Sequence, residues 1–540
     1  MPRLPRGQPG GQPGGLDCRG AFLIKKKEQI QAGFKPALRT FHQDLTLWMK
    51  EQIKSAPKAA AATATLLCLA AGYSFHTFAK TMNAKPLLEM QPAEAALLAA
   101  ACIAVMGVTM IGFGWAPHVS IILVLCALLA LGRLKGLAFA DMQHGMAGGV
   151  MSGIGAIYLF FFIGLLVSAL MMSGAIPTLM YYGLGAIAPG LFYVSAFVLT
   201  SVVGIAIGSS LTTCATLGVA FMGMGQALGA QPAIVAGAVV SGAFFGDKMS
   251  PLSDTTAIAA SIVGIDLFEH IRNMSYTTAP AWLLTALLLW LLPAQVGEGG
   301  LAGVQLFQQQ LAASGLISGW ALLPFVVLVA LALRRVSTIY AISITIAVAL
   351  LITYASGGPA LGELGGFFFK GYHPPEGLEL GDVGRLLSRG GIESMFFTQT
   401  IVILALSLGG LLNALGVLPA LLAGISHMLT TAGRATFSVA ATSLGVNVLI
   451  GEQYLSLLLA GHTFKPVYER LGLHPRNIAR TVEDAGTVIN PLVPWGVCGV
   501  FISHALGVPV LDYLPWATFC WLCLLLTLAF GFSGRTISRV

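Results

Sequence analysis

Charge is what this sequence has least of. Only 9% of its 540 residues are Asp, Glu, Lys or Arg, against 56% hydrophobic, where a soluble domain carries about 25% charged residues. The 51 charged side chains are too few to cover a water-facing fold of this length. Soluble enzymes, secreted scaffolds and nucleic-acid binders are excluded together. Other absences narrow the field. No G-x-x-x-x-G-K-[ST] run occurs, which argues against ATP drive within this chain, and no H-E-x-x-H, which argues against a zinc protease. Nothing in the first thirty residues has the apolar run of a cleaved signal. Eight cysteines are present, seven of them in apolar runs. Cys520 and Cys523 have metal-ligand spacing without a second pair, so they read as buried thiols and no disulfide framework is expected.

What charge there is has been sorted by position. Residues 1–58 hold 11 basic and 4 acidic side chains, which is the whole net surplus of +7. The rest of the chain balances at 18 of each sign, so no nucleic-acid partner is implied. Residues 1–93 read as a basic N-terminal extension, Pro/Gly-rich at first and then carrying Lys25, Lys26 and Lys27. The Ala-rich stretch 59–79 reads as an interfacial or accessory helix, because a span there would turn the basic tail outward.

Apolar runs able to cross about 30 Å of hydrocarbon lie near 94–115, 117–132, 150–172, 232–262, 276–293, 319–333, 337–355, 395–413, 475–505 and 513–532. Two more, 189–227 and 435–463, are interrupted by polar, Gly-containing sequence. Each is either two short spans or one hairpin entering and leaving by the same face. With ten crossings and the N-terminus inside, Arg133, Lys135, Arg272, Arg334, Arg335, Arg434, Lys465, Arg470, Arg476, Arg480, Arg535 and Arg539 share the cytoplasmic side. The opposite side receives Glu298 and the loop 356–392, where acidic residues outnumber basic ones. Both termini are therefore expected in the cytoplasm. The fold class is an all-α polytopic membrane protein of about ten transmembrane helices plus two re-entrant hairpins or broken helices.

The halves, 94–295 and 296–535, echo each other ahead of a short tail at 536–540. "VVGIAIGSSLTT", "LGAQP" and "SPLSD" in the first correspond to "SLGVNVLIGEQYL", "LGLHP" and "NPLVPW" in the second. Five crossings separate equivalent points, so the repeat is inverted. Paired interrupted segments in an inverted repeat point to a transport site at mid-membrane.

The densest polar signal in an apolar span is "SGAFFGDKMSPLSDTTAIAAS", which holds Asp247, Lys248, Ser250, Ser253, Asp254, Thr255 and Thr256. Pro251 lacks an N–H and cannot bond the carbonyl of Asp247, so the helix breaks beside two carboxylates. Carboxylates, hydroxyls and freed carbonyls are the ligands a hard cation such as sodium prefers. Burial favours the protonated carboxyl, and a nearby cation the ionised one. A carboxylate held between these pulls takes a proton or a cation but not both, which is the physical core of antiport. In the second half, Pro491 and Pro494 free the carbonyls of Thr487 and Asn490, and Asp484 is spaced to pair with Arg480 on one helical face. The interrupted tips carry Gly208, Ser209, Ser210 and Thr212 in one half and Asn447, Glu452 and Gln453 in the other. Helix termini at such tips orient ions. His76, His118, His270, His427 and His504 are scattered singly and read as packing or surface residues.

Several of these strings resemble the NhaC-type sodium/proton antiporter family: "GSSLTTCATLGVAFMGMG", "SGAFFGDKMSPLSDTT", "GIDLFEHIRNMSYTTAPA", "GEQYLSLLL" and "RTVEDAGTVINPLVPWGVCG". The resemblance covers roughly 94–535. It implies a secondary carrier of the ion transporter superfamily in a bacterial inner membrane, with two re-entrant hairpins, a unit moving against a fixed scaffold, and room for a homodimer. Membrane lipid and small cations would be its partners, and transported Na+ and H+ its cargo, with no cofactor. Carried over by motif, Asp247, Ser250, Asp254 and Thr255 would line the sodium site. Ser209, Ser210 and Thr212 would form the first tip, and Glu452, Asp484 and Thr487 would join from the second half. The family often has Trp at the position of Leu211, Asp at that of Glu452 and Asn-Thr at that of Gly496-Val497. These departures touch the site and leave a second reading open, an exchanger of small organic acids of the malate/lactate type, or of amines, coupled to protons or sodium.

Overall fold

The computed structural model describes residues 86–540 apart from 252, 293–299, 335, 337, 376–379 and 426–430. The basic extension through residue 85, with the 59–79 stretch, and Arg335, Glu298 and His427 lie outside the described residues. Within those residues the chain is helical and has no strand; one isolated bridge pairs Leu473 with Arg539. Six helices are long and apolar enough to cross a bilayer, and nine spans result if each of three bent pairs counts as one. Together they make a multi-pass membrane protein.

The spans differ in detail from the run-by-run expectation. The apolar run 150–172 continues past Gly174, at φ 76°, into a helix bent by 64°. The run 276–293 is the latter part of a longer helix that starts at Leu267, where Asp266 caps the N–H groups of Phe268 and Glu269. The 356–392 loop contains two short helices, Leu361–Lys370 and Gly381–Leu387.

Ten helices build the functional region. They are α1 (Phe192–Ile207), α2 (Ser210–Leu228), α3 (Pro232–Met249), α4 (Asp254–Val263), α5 (Leu267–Trp290), α6 (Ala432–Ile450), α7 (Gln453–Arg470), α8 (Arg476–Leu492), α9 (Val497–Leu506) and α10 (Thr518–Ser533). Both interrupted stretches are pairs of antiparallel helices joined by a tight turn. In the first, Phe192 at the start of α1 lies against Gly225 near the end of α2. In the second, Thr436 at the start of α6 lies 3.4 Å from the Tyr468 hydroxyl near the end of α7.

The hairpins open toward opposite ends of the bundle. Helix α1 runs parallel to α3, with Thr200 against Gly242 and Gly204 against Gly246. A Cβ on Gly246 would fall 2.5 Å from the Gly204 backbone, so only glycine permits this approach. Helix α3 then leads through α4, bent by 45°, to the end where Arg476 meets Glu269 at 3.2 Å. Helices α6 and α8 start from that end, and α9 leads away from it to pack its Leu506 against Gly218 of α2. Residues placed on one side by loop charge, Arg476, Arg480 and Arg539, do gather at one end here. There the segment 534–540 folds back: His474 donates its backbone N–H to Ser538 O at 3.0 Å, and Asn477 Nδ2 donates to the same oxygen at 2.8 Å.

Candidate functional site

Both hairpins turn by the same two-residue device. Gly208 and Gly451 take the left-handed conformation, φ 70° and 79°, which costs glycine nothing. The next residue is extended and caps the following helix. Ser209 Oγ accepts from the Thr212 N–H at 3.3 Å and from the Thr212 hydroxyl at 3.0 Å. Glu452 Oε2 accepts from the Leu455 N–H at 2.7 Å. Glu452 is buried, and its visible role is that of a helix cap.

The first tip rests on Asp247. Ser210 donates both its N–H, at 3.2 Å, and its hydroxyl, at 2.7 Å, to Asp247 Oδ2. Asp247 is only 4% exposed, and its Oδ1 has no hydrogen-bond partner. One oxygen is thus fixed by the tip while the other is left with ligating capacity. Asp254 differs: it is exposed, and its Oδ2 accepts from the Tyr454 hydroxyl of the second tip at 2.5 Å. Ser250 and Ser253, between the two carboxylates in the chain, and Thr255, just after the second, are buried. Ser253 caps α4 by accepting from the Thr256 N–H at 3.4 Å and shares a hydrogen bond with Thr255 Oγ1 at 2.9 Å.

The proline breaks form as expected, but the released carbonyls of Asp247 and Asn490 do not stay open. At Pro251, the Ser250 N–H donates to Asp247 O at 3.2 Å, and the Thr256 hydroxyl donates to Lys248 O at 3.3 Å. At the second break, bent by 43°, the Val493 N–H donates to Asn490 O at 3.2 Å. Pro491 O accepts from the Tyr513 hydroxyl at 2.6 Å. In an apolar surrounding a free carbonyl is costly, so the chain refills it locally. Pro494 and Pro491 therefore shape the break, while side-chain oxygens remain as the open ligands. Among the described residues no group of three or more His, Cys, Asp and Glu side chains converges, so a cation here would draw on hydroxyl and amide oxygens as well.

The second tip is locked to the second break by amides. Asn490 Nδ2 donates to Asn447 Oδ1 at 2.6 Å and to Gly451 O at 3.0 Å, and its Oδ1 accepts from the Cys498 N–H at 2.8 Å. Asn447 Nδ2 in turn donates to Gly486 O. Gln453 Oε1 is buried without a partner.

Asp484 corrects an expectation. Its Oδ1 pairs with Lys248 Nζ of the other half, both side chains wholly buried, and not with Arg480. Arg480 points its Nη1 at Thr536, 3.3 Å from the backbone O and 3.1 Å from the hydroxyl. Asp484 and Thr487 lie in a π-helical turn, Glu483–Thr487, a widening that recurs at functional sites and here precedes the break. Sequence reasoning missed Lys248 and Tyr454 as site residues and Asn490 as the clamp. A lysine three positions before a proline in an apolar span was signal enough for the first. The other two are recognised only through partners 200 and 43 residues away.

Comparison with known proteins identifies the family. A family profile described as the Na+/H+ antiporter family matches residues 242–535. The Na(+)/H(+) antiporter NhaC of Alkalihalophilus pseudofirmus is 39% identical over 78% of this chain and 91% of its own length. The arginine/ornithine antiporter ArcD of Halobacterium salinarum is 35% identical over 74% of this chain and 83% of its own. The malate-2H(+)/Na(+)-lactate antiporter of Bacillus subtilis is 31% identical over 76% and 87%. With its matched breaks and its identity to these carriers, the chain belongs to the Na+/H+ antiporter family, a family of transporters and not of enzymes.

Proposed function

We propose that this protein is a secondary sodium/proton antiporter of the bacterial inner membrane, with both termini cytoplasmic, working by alternating access. The observation that carries the reading is Asp247: a carboxylate buried at a helix break, held through one oxygen by the tip of a hairpin, with the other oxygen unpartnered. A hard cation or a proton satisfies that oxygen, and one excludes the other. Sodium would be taken at Asp247 with Asp254, Ser250 and Thr255, with Thr487 contributing from the facing break. The opposed hairpins fit an inverted repeat, in which one half would move against the other. Two copies in a homodimer would give the moving half a fixed frame.

A second reading is favoured by the relatives themselves, two of which are named as exchangers of organic solutes. Purified protein in liposomes with a luminal pH dye separates the two. Under an imposed pH gradient, sodium or lithium is expected to restore dye fluorescence and malate, lactate, arginine and ornithine are not. Recovery with the organic solutes alone would overturn the sodium reading. Asp247→Asn is expected to abolish sodium-driven recovery; unimpaired recovery in both Asp247→Asn and Asp254→Asn would remove the site from this place.

A further inference from the structure

Helix α8 begins with a buried cation that has no carboxylate. Arg480 has zero exposure, and no Asp or Glu among the described residues lies within ion-pair distance of it. Its Nη1 has the oxygens of Thr536, while its Nε and Nη2 are buried without a partner. One turn along the same helix, Asp484 gives Oδ1 to Lys248 of α3, and its Oδ2 is likewise buried and unpartnered. Asp484 is within electrostatic reach of Arg480, and residues four apart on a helix share a face. Free donors and a free acceptor thus stand a turn apart without meeting, although meeting would satisfy both.

Segment 534–540 keeps them apart. Thr536 draws Nη1 toward itself, and it does so at φ 61°, a conformation a branched residue holds only under constraint. The rest of the segment is tied to the same stretch of chain. Ser538 accepts from Arg476 Nη2 at 2.6 Å and donates its N–H to Asn477 Oδ1 at 3.1 Å, and the Val540 N–H donates to Gly472 O at 3.1 Å. Arg476 and its partner Glu269 are 35% and 37% exposed, so the segment can lift away into solvent.

We propose that segment 534–540 is a latch on the movement of α3 against α8. Closed, it holds Arg480 off Asp484, and the Lys248–Asp484 pair ties the two helices together. Open, it lets Arg480 turn to Asp484 Oδ2. Asp484 then keeps a cation when Lys248 leaves with α3, and the cost of parting the helices falls, because a buried carboxylate is not stranded. The exchange of partners is a side-chain rotation, with no proton gained or lost. The strap biases a two-state element, and that element sets how readily the halves separate.

Two measurements test the latch. Thermal midpoints in detergent compare the full chain with a chain ended at Ser533, each with and without Lys248→Ala. In the full chain Lys248→Ala strands Asp484. In the shortened chain Arg480 takes the place of the lysine, so the drop caused by Lys248→Ala is expected to be about half as large or less. Adding Arg480→Gln to the shortened chain should restore the full drop. Equal drops in the full and shortened chains, the result of a merely structural strap, overturn the proposal. The second measurement leaves the chain whole. Leu473 and Arg539 face each other in an antiparallel bridge, close enough for a disulfide between Leu473→Cys and Arg539→Cys. Oxidation is expected to slow exchange of radiolabelled sodium in liposomes by about threefold or more, and reductant to restore it. An unchanged rate, or the same slowing with Arg480→Gln also present, overturns the proposal even where the shortened chain does not insert. The flux measurement rests on the sodium reading and the thermal one does not. Should the dye assay select an organic solute, that solute is labelled in place of sodium, and the sodium reading alone fails.

Discussion

Lys248 and Asp484 form the one fully buried ion pair among the described residues, and they come from helices 236 residues apart. Removing one partner strands the other in an apolar interior, at about 3–5 kcal/mol. Lys248→Ala and Asp484→Ala should each lower the thermal midpoint of the detergent-solubilised protein strongly. The double variant should recover part of the loss, because it leaves no stranded charge. Strictly additive single losses would show that the two are not coupled. At this scale the sequence was informative about type and silent about pairing. Carboxylates and a lysine in apolar runs stand out by cost alone. Spacing within one helix matched Asp484 to Arg480, since i,i+4 is the only partnership a sequence displays. The structure chose the longer-range one, and gave Arg480 to Thr536.

The hairpin and the break are the units at the next scale, and their glycines set the geometry. Gly246 immediately precedes Asp247, and its crossing with Gly204 holds the carboxylate under the first tip. Gly246→Ala forces α1 and α3 apart, at about 1–3 kcal/mol for overpacking, and should impair exchange more than Gly229→Ala. That residue lies outside the site, though its φ of 70° carries its own cost. Gly208→Ala and Gly451→Ala place a Cβ in a left-handed conformation, at about 1–2 kcal/mol each. Matched losses of thermal stability in the two variants would show that the two tips are equivalent devices. Tyr454→Phe removes the bond from the second tip to Asp254, a hydrogen bond to a charged group worth about 1.5–3 kcal/mol. It should favour the arrangement in which the two are apart, read as faster thiol labelling of a cysteine at position 253. Helix breaks were legible here because proline removes a donor wherever it sits. The refilling of the carbonyls was not, because Ser250, Thr256 and Val493 act through turn geometry that composition does not encode.

For the whole molecule, the segment 534–540 fastens α10 to the start of α8. Thr536, at φ 61°, is the one non-glycine residue with positive φ among those described, and a branched side chain holds that conformation only when its surroundings impose it. Its hydroxyl and carbonyl take the Arg480 guanidinium, while Ser538 receives Arg476 at 2.6 Å. A chain ended at Ser533 should lose hydrogen-exchange protection across 472–482 and unfold at lower temperature; unchanged protection there would count against a fastening role. The fold class and the paired interruptions were readable from where charge and glycine fall, and so was the gathering of Arg476, Arg480 and Arg539 at one end. Whether each interrupted stretch crosses twice or enters and leaves by one face was not, since the two have the same hydropathy. The buried ion pair has one further consequence, for membrane voltage. A field of 100 mV does about 2.3 kcal/mol of work on each unit charge that crosses it. Lys248 and Asp484 cancel, so as long as they travel together the field does no net work on them. Whatever current accompanies transport is then set by the cargo and by the charge state of any carboxylate that moves with it.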